Sequence, residues 1–127
     1  MDILMDTHVL LWSLEWDPKL SKIAIEKIEN VRNNLYISIA SLWEISIKLR
    51  LNKLTLNIPL IQLQSHLKQK SIDILPIVFG DIIVNSGLEN HHNDPFDRII
   101  ISQSINNQFP IITYDKNFKK YSVDIIW

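Results

Sequence analysis

The chain of 127 residues contains no cysteine. That excludes a disulfide scaffold, a thiolate metal site and a cysteine nucleophile, and it fits a reducing cytoplasm. Glycine occurs only at Gly80 and Gly87, so neither a glycine-rich phosphate loop nor a flexible glycine linker can be built. The glycine motifs of phosphate loops, dinucleotide folds and hydrolase nucleophile elbows are all missing. No window approaches the ~20 apolar residues of a membrane span, and no basic leader precedes an apolar run. The expectation is a soluble, unprocessed cytoplasmic chain with no membrane partner. Internal repeats and low-complexity tracts are absent. An excess of positive charge is missing too: 13 basic against 14 acidic residues leave a net charge of −1. Proteins that hold nucleic acid by bulk electrostatics are usually clearly basic, so net charge alone argues against such a partner.

What the chain does have is an ordinary globular composition, 46% hydrophobic and 21% charged. One domain spanning residues 1–127 is expected, burying roughly two thirds of its unfolded surface. Short apolar runs bounded by polar residues read as buried parallel strands at residues 2–6, 35–39, 72–77, 110–115 and 123–127. Helical spacing fills the intervals: His8 to Glu15, Ser21 to Asn30, Ser41 to Leu51, Leu60 to Gln69, Val78 to Leu88, and Asp94 to Asn107. Strands alternating with helices of this length imply βαβ crossovers and a parallel sheet covered on both faces. The fold class is α/β, a three-layer sandwich.

Ligands of such sheets bind beyond the carboxyl ends of the strands. Asp6 closes the first strand and Asp115 the fourth, although an aspartate after a strand is also a common turn former or cap. Glu44 lies in Ser-Leu-Trp-Glu (41–44), a capping-box pattern, with Lys48 four residues on as a possible ion-pair partner. The helix around it is apolar on several faces, so a glutamate there needs a reason. In Asp94-Pro95-Phe96-Asp97, Asp94 serves as N-cap and Pro95 as the first helical residue. Asp97 then shares a face with Ile100 and Ile101. Two carboxylates ~5 Å apart repel by about 3 kcal/mol at an effective dielectric of 20, so four in one crevice make sense only around a cation. Oxygen ligands favour Mg²⁺ or Mn²⁺ and metal-assisted hydrolysis.

DTHVLLW (6–12), ISIASLWEISIK (37–48), HHNDPFDRIIISQ (91–103) and ITYDKNF (112–118), taken in order, closely resemble the PIN-domain family. Within it the chain is similar to the VapC-type ribonuclease toxins of bacterial toxin–antitoxin pairs. The resemblance covers the whole chain. It implies a five-stranded parallel sheet in the order 3-2-1-4-5 and an acidic site of Asp6, Glu44, Asp97 and Asp115, with Thr113 as the accompanying hydroxyl. It also implies a Mg²⁺- or Mn²⁺-dependent endoribonuclease that acts on RNA, commonly tRNA, and leaves a 5′-phosphate. Homodimers, and inhibition by a small antitoxin that inserts a basic segment into the acidic groove, belong to the same implication. Asp6, Asp97 and Asp115 are then expected to bind the metal, and Glu44 to bind it or orient the attacking water. With two divalent ions bound the net charge rises to about +3, so near-neutrality does not exclude RNA.

Other polar residues carry competing readings. His8 can touch substrate phosphate or simply pack at a helix start. His91 and His92 are expected to be solvated or to cap, and His66 to lie on the surface. Arg98 can pair with a site carboxylate or meet RNA. Lys48, Arg50 and Lys53, like Lys116, Lys119 and Lys120, are either solvated faces or RNA-backbone contacts. The alternative from another class is a non-catalytic PIN-like module that binds RNA or protein. A phospho-accepting receiver domain fits poorly, because Asp73 lies inside its strand and no lysine follows the fifth strand.

Overall fold

The computed structural model describes residues 1–127. Its five strands are β1 (Asp2–Met5), β2 (Asn34–Ser38), β3 (Ile72–Leu75), β4 (Ile111–Ile112) and β5 (Ile125–Ile126). They form one all-parallel sheet in the order β3-β2-β1-β4-β5, as the resemblance implies. Six helices connect them: α1 (Thr7–Glu15), α2 (Lys22–Glu29), α3 (Ile39–Arg50), α4 (Leu63–Gln69), α5 (Phe79–Ser86) and α6 (Pro95–Asn107). A 3₁₀ turn at Leu60–Gln62 leads into α4, and another, Lys116–Lys120, follows β4.

The alternation of side chains along each strand divides the core into two layers. Ile3 and Met5 of β1 join Leu35, Ile37 and Ile112 in a core on one face of the sheet, covered by Val9, Leu10, Ala24 and Leu67 of the helices. Leu4 turns to the other face with Ile111, where Ile100 and Ile101 of α6 and Phe118 cover it. In β1 the residue Met5 pairs with Ile37 on one side and Ile112 on the other. Asp6 therefore emerges at the centre of the sheet, at its carboxyl edge.

Local chemistry sets the helix starts. The Ser21 hydroxyl accepts from the Ala24 N–H at 3.1 Å and opens α2. Asp94 accepts from the N–H groups of Phe96 (2.8 Å) and Asp97 (3.2 Å) and opens α6, with Pro95 in the first turn. α3 departs from the expected start. Its N-cap is Ser38, which accepts from the Ala40 N–H at 3.1 Å, so Ser41 lies inside the helix and the capping-box reading of Ser41–Glu44 is corrected. Here β2 runs into the helix without a loop. The strands β4 (Ile111–Ile112) and β5 (Ile125–Ile126) are shorter than the sequence pattern suggests. Asp115 accepts from the Asn117 N–H at 2.9 Å and starts the 3₁₀ turn instead.

α5 is turned unusually. It buries Asp81 completely and leaves Phe79, Ile82 and Ile83 at least half exposed. Asp81 accepts from the Val78 N–H at 2.9 Å and from the Asn106 amide of α6 at 2.9 Å. Gly80 permits this approach, since a Cβ there would stand 2.9 Å from the Asn106 amide nitrogen.

Candidate metal centre

Asp6 is the residue between β1 and α1, and its side chain makes no capping bond to α1 although its backbone occupies the cap position. The carboxylate, only 3% exposed, instead accepts from the Thr113 hydroxyl at 2.8 Å. The same hydroxyl oxygen accepts from the Asp115 N–H at 3.0 Å, so Thr113 ties the two aspartates together across β1 and β4. Burial raises the Asp6 carboxyl above its ordinary range and the negative charge of Glu44 adds to this. The Thr113 bond, the His8 charge and the Thr7 backbone bond work against it.

Glu44 lies on the second turn of α3 and is buried. Its Oε1 accepts from the Thr7 hydroxyl at 3.0 Å, and Thr7 is also hydrogen-bonded to the Ser41 hydroxyl at 2.8 Å. Lys48, one turn on, donates to Oε2 at 2.9 Å. Asp6 and Glu44 are thus joined through adjacent residues: Thr7 follows Asp6 in the chain and holds Glu44.

Asp97 sits in the first turn of α6 with its side chain 17% exposed. Burial first, and then the charges of Asp6, Asp94, Glu44 and Asp115, push its carboxyl up to about 8. All four of these acids act on Asp97, which makes it the electrostatic centre of the group. Asp115 keeps one oxygen on its own turn, as a cap does, and the other faces His92.

His92 brings a correction. A solvated or capping role is the sequence expectation, and one ring nitrogen does serve the turn: Nδ1 accepts from the Asp94 N–H at 3.2 Å. The other does not. Nε2 lies 2.9 Å from Asp97 Oδ2 and 3.7 Å from Asp115 Oδ2, buried, yet without an aligned hydrogen bond to either. Its ring packs edge-on to Phe118 at 6.2 Å. Ligating atoms of His92, Asp97 and Asp115 all lie within 4.8 Å of one another, while Asp6 and Glu44 stand outside that tight trio. No local pattern marks His92, because its direction is set by the Asp94 turn and by a ring contact 26 residues away.

Of the two readings of Arg98, the ion pair with a site carboxylate is not formed. Its guanidinium donates to the backbone carbonyls of Leu88 (3.2 Å), Glu89 (2.9 Å) and His92 (3.3 Å), clamping the loop before α6. His91 is removed from the acids and pairs with exposed Glu89 at 2.6 Å. His8 is exposed on α1, its ring tilted against Trp12 at 5.9 Å and edge-on to Tyr114 at 6.4 Å. Together with Trp12, Lys48, Lys53, Leu56 and His66 it lines a cavity of about 330 Å³ beside the acids.

The donor set of this crevice is carboxylate oxygen, suited to a hard divalent cation. Carboxyls raised by burial and mutual repulsion are what such a set looks like without its counter-charge. A buried ring N–H without a partner marks the same place as built for something further. The residues present therefore fit a metal.

Fold and crevice together describe an α/β protein with an acidic centre at the carboxyl edge of its sheet. The PIN domain family matches residues 3–124, and the chain belongs to that family. Comparison with curated proteins finds no match. Among solved structures, VapBC2 from Rickettsia felis bound to a promoter DNA fragment is similar in fold. Its TM-score is 0.73 at 16% identity, covering 98% of this chain and 97% of that one. FitAcB from Neisseria gonorrhoeae is similar with a TM-score of 0.68 at 18% identity, covering 97% and 95%. A toxin–antitoxin complex from Klebsiella pneumoniae is similar with a TM-score of 0.61 at 16% identity, covering 94% and 92%. No helix is long and apolar enough to cross a membrane.

Proposed function

We propose that this PIN domain is a metal-dependent endoribonuclease and the toxin of a toxin–antitoxin pair. The observation that carries the reading is Asp97, whose carboxyl is held up to about 8 by burial and by the charges of Asp6, Asp94, Glu44 and Asp115. Gathering these acids costs stability, and a bound cation removes the cost. Asp6, Asp97 and Asp115 would hold Mg²⁺ or Mn²⁺. When bound, the ion supplies Lewis acidity, making water a better nucleophile and absorbing charge on the phosphate. Thr113 fixes Asp6 and Asp115 relative to each other. Glu44, its two oxygens steadied by Thr7 and Lys48, orients the attacking water. The water oxygen bonds to phosphorus and the P–O3′ bond breaks. O3′ leaves carrying a proton, and the phosphate stays on the 5′ end of the downstream fragment.

Lys48 and Lys53 beside the crevice suit the RNA backbone, and structured RNA such as tRNA is the substrate class we favour. The similar structure from Klebsiella pneumoniae is a toxin–antitoxin complex, which supports a small antitoxin partner for this chain. The acidic crevice and the cavity that adjoins it at Lys48 offer such a partner a socket for a basic segment. The active species is a homodimer, working in the cytoplasm.

The test is cleavage of total tRNA and messenger RNA with Mg²⁺ or Mn²⁺ by wild type, Asp97→Asn and Asp6→Asn. Each substitution should lower the rate by on the order of 100-fold or more while leaving the fold intact. A folded Asn variant that cleaves at the wild-type rate refutes the site. A folded, metal-supplied wild type that cleaves nothing points instead to a non-catalytic binding module.

A further inference from the structure

Of the polar atoms around the acidic crevice, one has no partner in the protein although it is buried and held in place: Nε2 of His92. Three contacts fix the residue. Its Nδ1 accepts from the Asp94 N–H, its carbonyl accepts from Arg98, and its ring lies edge-on to Phe118. The first of these also fixes the proton. A neutral imidazole carries a single N–H, and with Nδ1 acting as acceptor that hydrogen resides on Nε2. Nε2 is therefore a donor, not a lone pair open to a metal. It stands 2.9 Å from Asp97 Oδ2 and 3.7 Å from Asp115 Oδ2, unaligned with either. A buried donor left unsatisfied is destabilising, and an incoming acceptor would relieve that cost.

Resting on the endoribonuclease reading above, we propose that His92 is a catalytic residue whose Nε2–H donates to a non-bridging oxygen of the scissile RNA phosphate. No protein oxygen in reach is aligned with this N–H, so an oxygen that arrives with the substrate is an acceptor it fits. A phosphate held at Asp97 and Asp115 would bring such an oxygen to the N–H that faces them, since the ligating atoms of all three residues lie within 4.8 Å of one another. The bond strengthens as negative charge grows on that oxygen during attack, so it favours the transition state over the bound substrate. His92 keeps its proton throughout, and no acid–base step is assigned to it. Arg98 is a positioning residue for this donor, acting through the His92 carbonyl and the loop before it.

The experiment compares wild type, His92→Phe and His92→Gln. Phenylalanine keeps a ring against Phe118 and removes the N–H, whereas glutamine keeps an amide donor near the position of Nε2. Three quantities are read: the affinity for Mn²⁺ alone by calorimetry, the affinity of the Mn²⁺-loaded protein for inorganic phosphate, and kcat and KM on tRNA. For His92→Phe we expect a kcat about 100-fold lower, phosphate affinity about tenfold weaker, and Mn²⁺ affinity within about threefold of wild type. His92→Gln should recover about tenfold of the lost kcat. Wild-type kcat in His92→Phe overturns the inference while leaving the nuclease reading intact. A loss of Mn²⁺ affinity of tenfold or more also overturns it, because His92 would then serve the metal. A wild type that binds Mn²⁺ but cleaves no RNA overturns the nuclease reading and this inference with it.

Discussion

Asp97 concentrates the conflict between folding and function in a single side chain. Its carboxyl is raised to about 8, first by burial and then by the neighbouring acids, from an ordinary value of 3.8. Below pH ~4 the group is protonated in both folded and unfolded chains. Between about 4 and 8 only the folded chain keeps the proton, so its contribution to stability falls as pH rises through this window and levels off above it. Metal-free wild type should therefore lose stability from pH 5 to pH 8, and Asp97→Asn should lack this component. Metal binding reverses the preference, because a ligating carboxylate must give up its proton. Calorimetry at pH 6 in buffers of different ionisation enthalpy should show about one proton released per site on Mn²⁺ binding, and close to none at pH 9. Proton-neutral binding at pH 6 would show that Asp97 is not the group being displaced. The place of Asp97 was legible from its motif: Asp94 and Pro95 start the helix, and the residue three beyond the cap shares a face with Ile100 and Ile101. His92 and Arg98 were not legible, because each is aimed by contacts with residues distant in the chain or with loop carbonyls that have no sequence signature.

Among the elements, α6 carries both the cap Asp94 and the acid Asp97, and its place depends on α5 through one buried pair. Asp81 accepts from Val78 N–H and from the Asn106 amide, and it is fully buried. Asp81→Ala removes the helix-start bond of α5 and strands the Asn106 amide, a loss of about 2 kcal/mol. For a domain of this size the melting temperature should fall by roughly 6–12 °C. Mn²⁺ affinity should change little, because Asp97 is held from the opposite end of α6 by its own cap. A melting temperature within about 2 °C of wild type would show that the pair contributes nothing net. The same scale explains which element boundaries the sequence revealed. The starts of α2 and α6 were readable because Ser21 and Asp94 cap without competition. That of α3 was not, since both Ser38 and Ser41 have capping chemistry and the choice fell to Ser38, where β2 ends beside β1. This shift freed Glu44 from a capping role and left it buried near Asp6.

The whole molecule shows why a net charge of −1 is a poor guide to its partners. Strand order brings acids from the end of β1, from α3, from α6 and from the segment after β4 to one edge of the sheet, so acidic groups are concentrated there although the total charge is near zero. The strand order itself was legible only through the family resemblance; periodicity identified five strands but says nothing about which lie side by side. On a different face, α5 presents Phe79, Ile82 and Ile83 at 73%, 50% and 55% exposure, with Val78 beside them at 50%. Positions i, i+3 and i+4 share one side of a helix, so these residues form a continuous apolar stripe rather than scattered exposures. The buried Asp81, bonded to the Val78 N–H and the Asn106 amide, favours this rotation of the helix, with the stripe outward. On the homodimer reading proposed above, a second copy of the chain is assigned to this stripe. Phe79→Glu with Ile83→Glu should then convert a dimer into a folded monomer, read by sedimentation velocity at about 50 µM, well above a ~1 µM dissociation constant. Because both side chains are exposed in the protomer, its melting behaviour under dilute conditions should be little changed. Wild type that sediments as a monomer at that concentration, or a double variant that remains dimeric, would show that α5 is not where two copies meet.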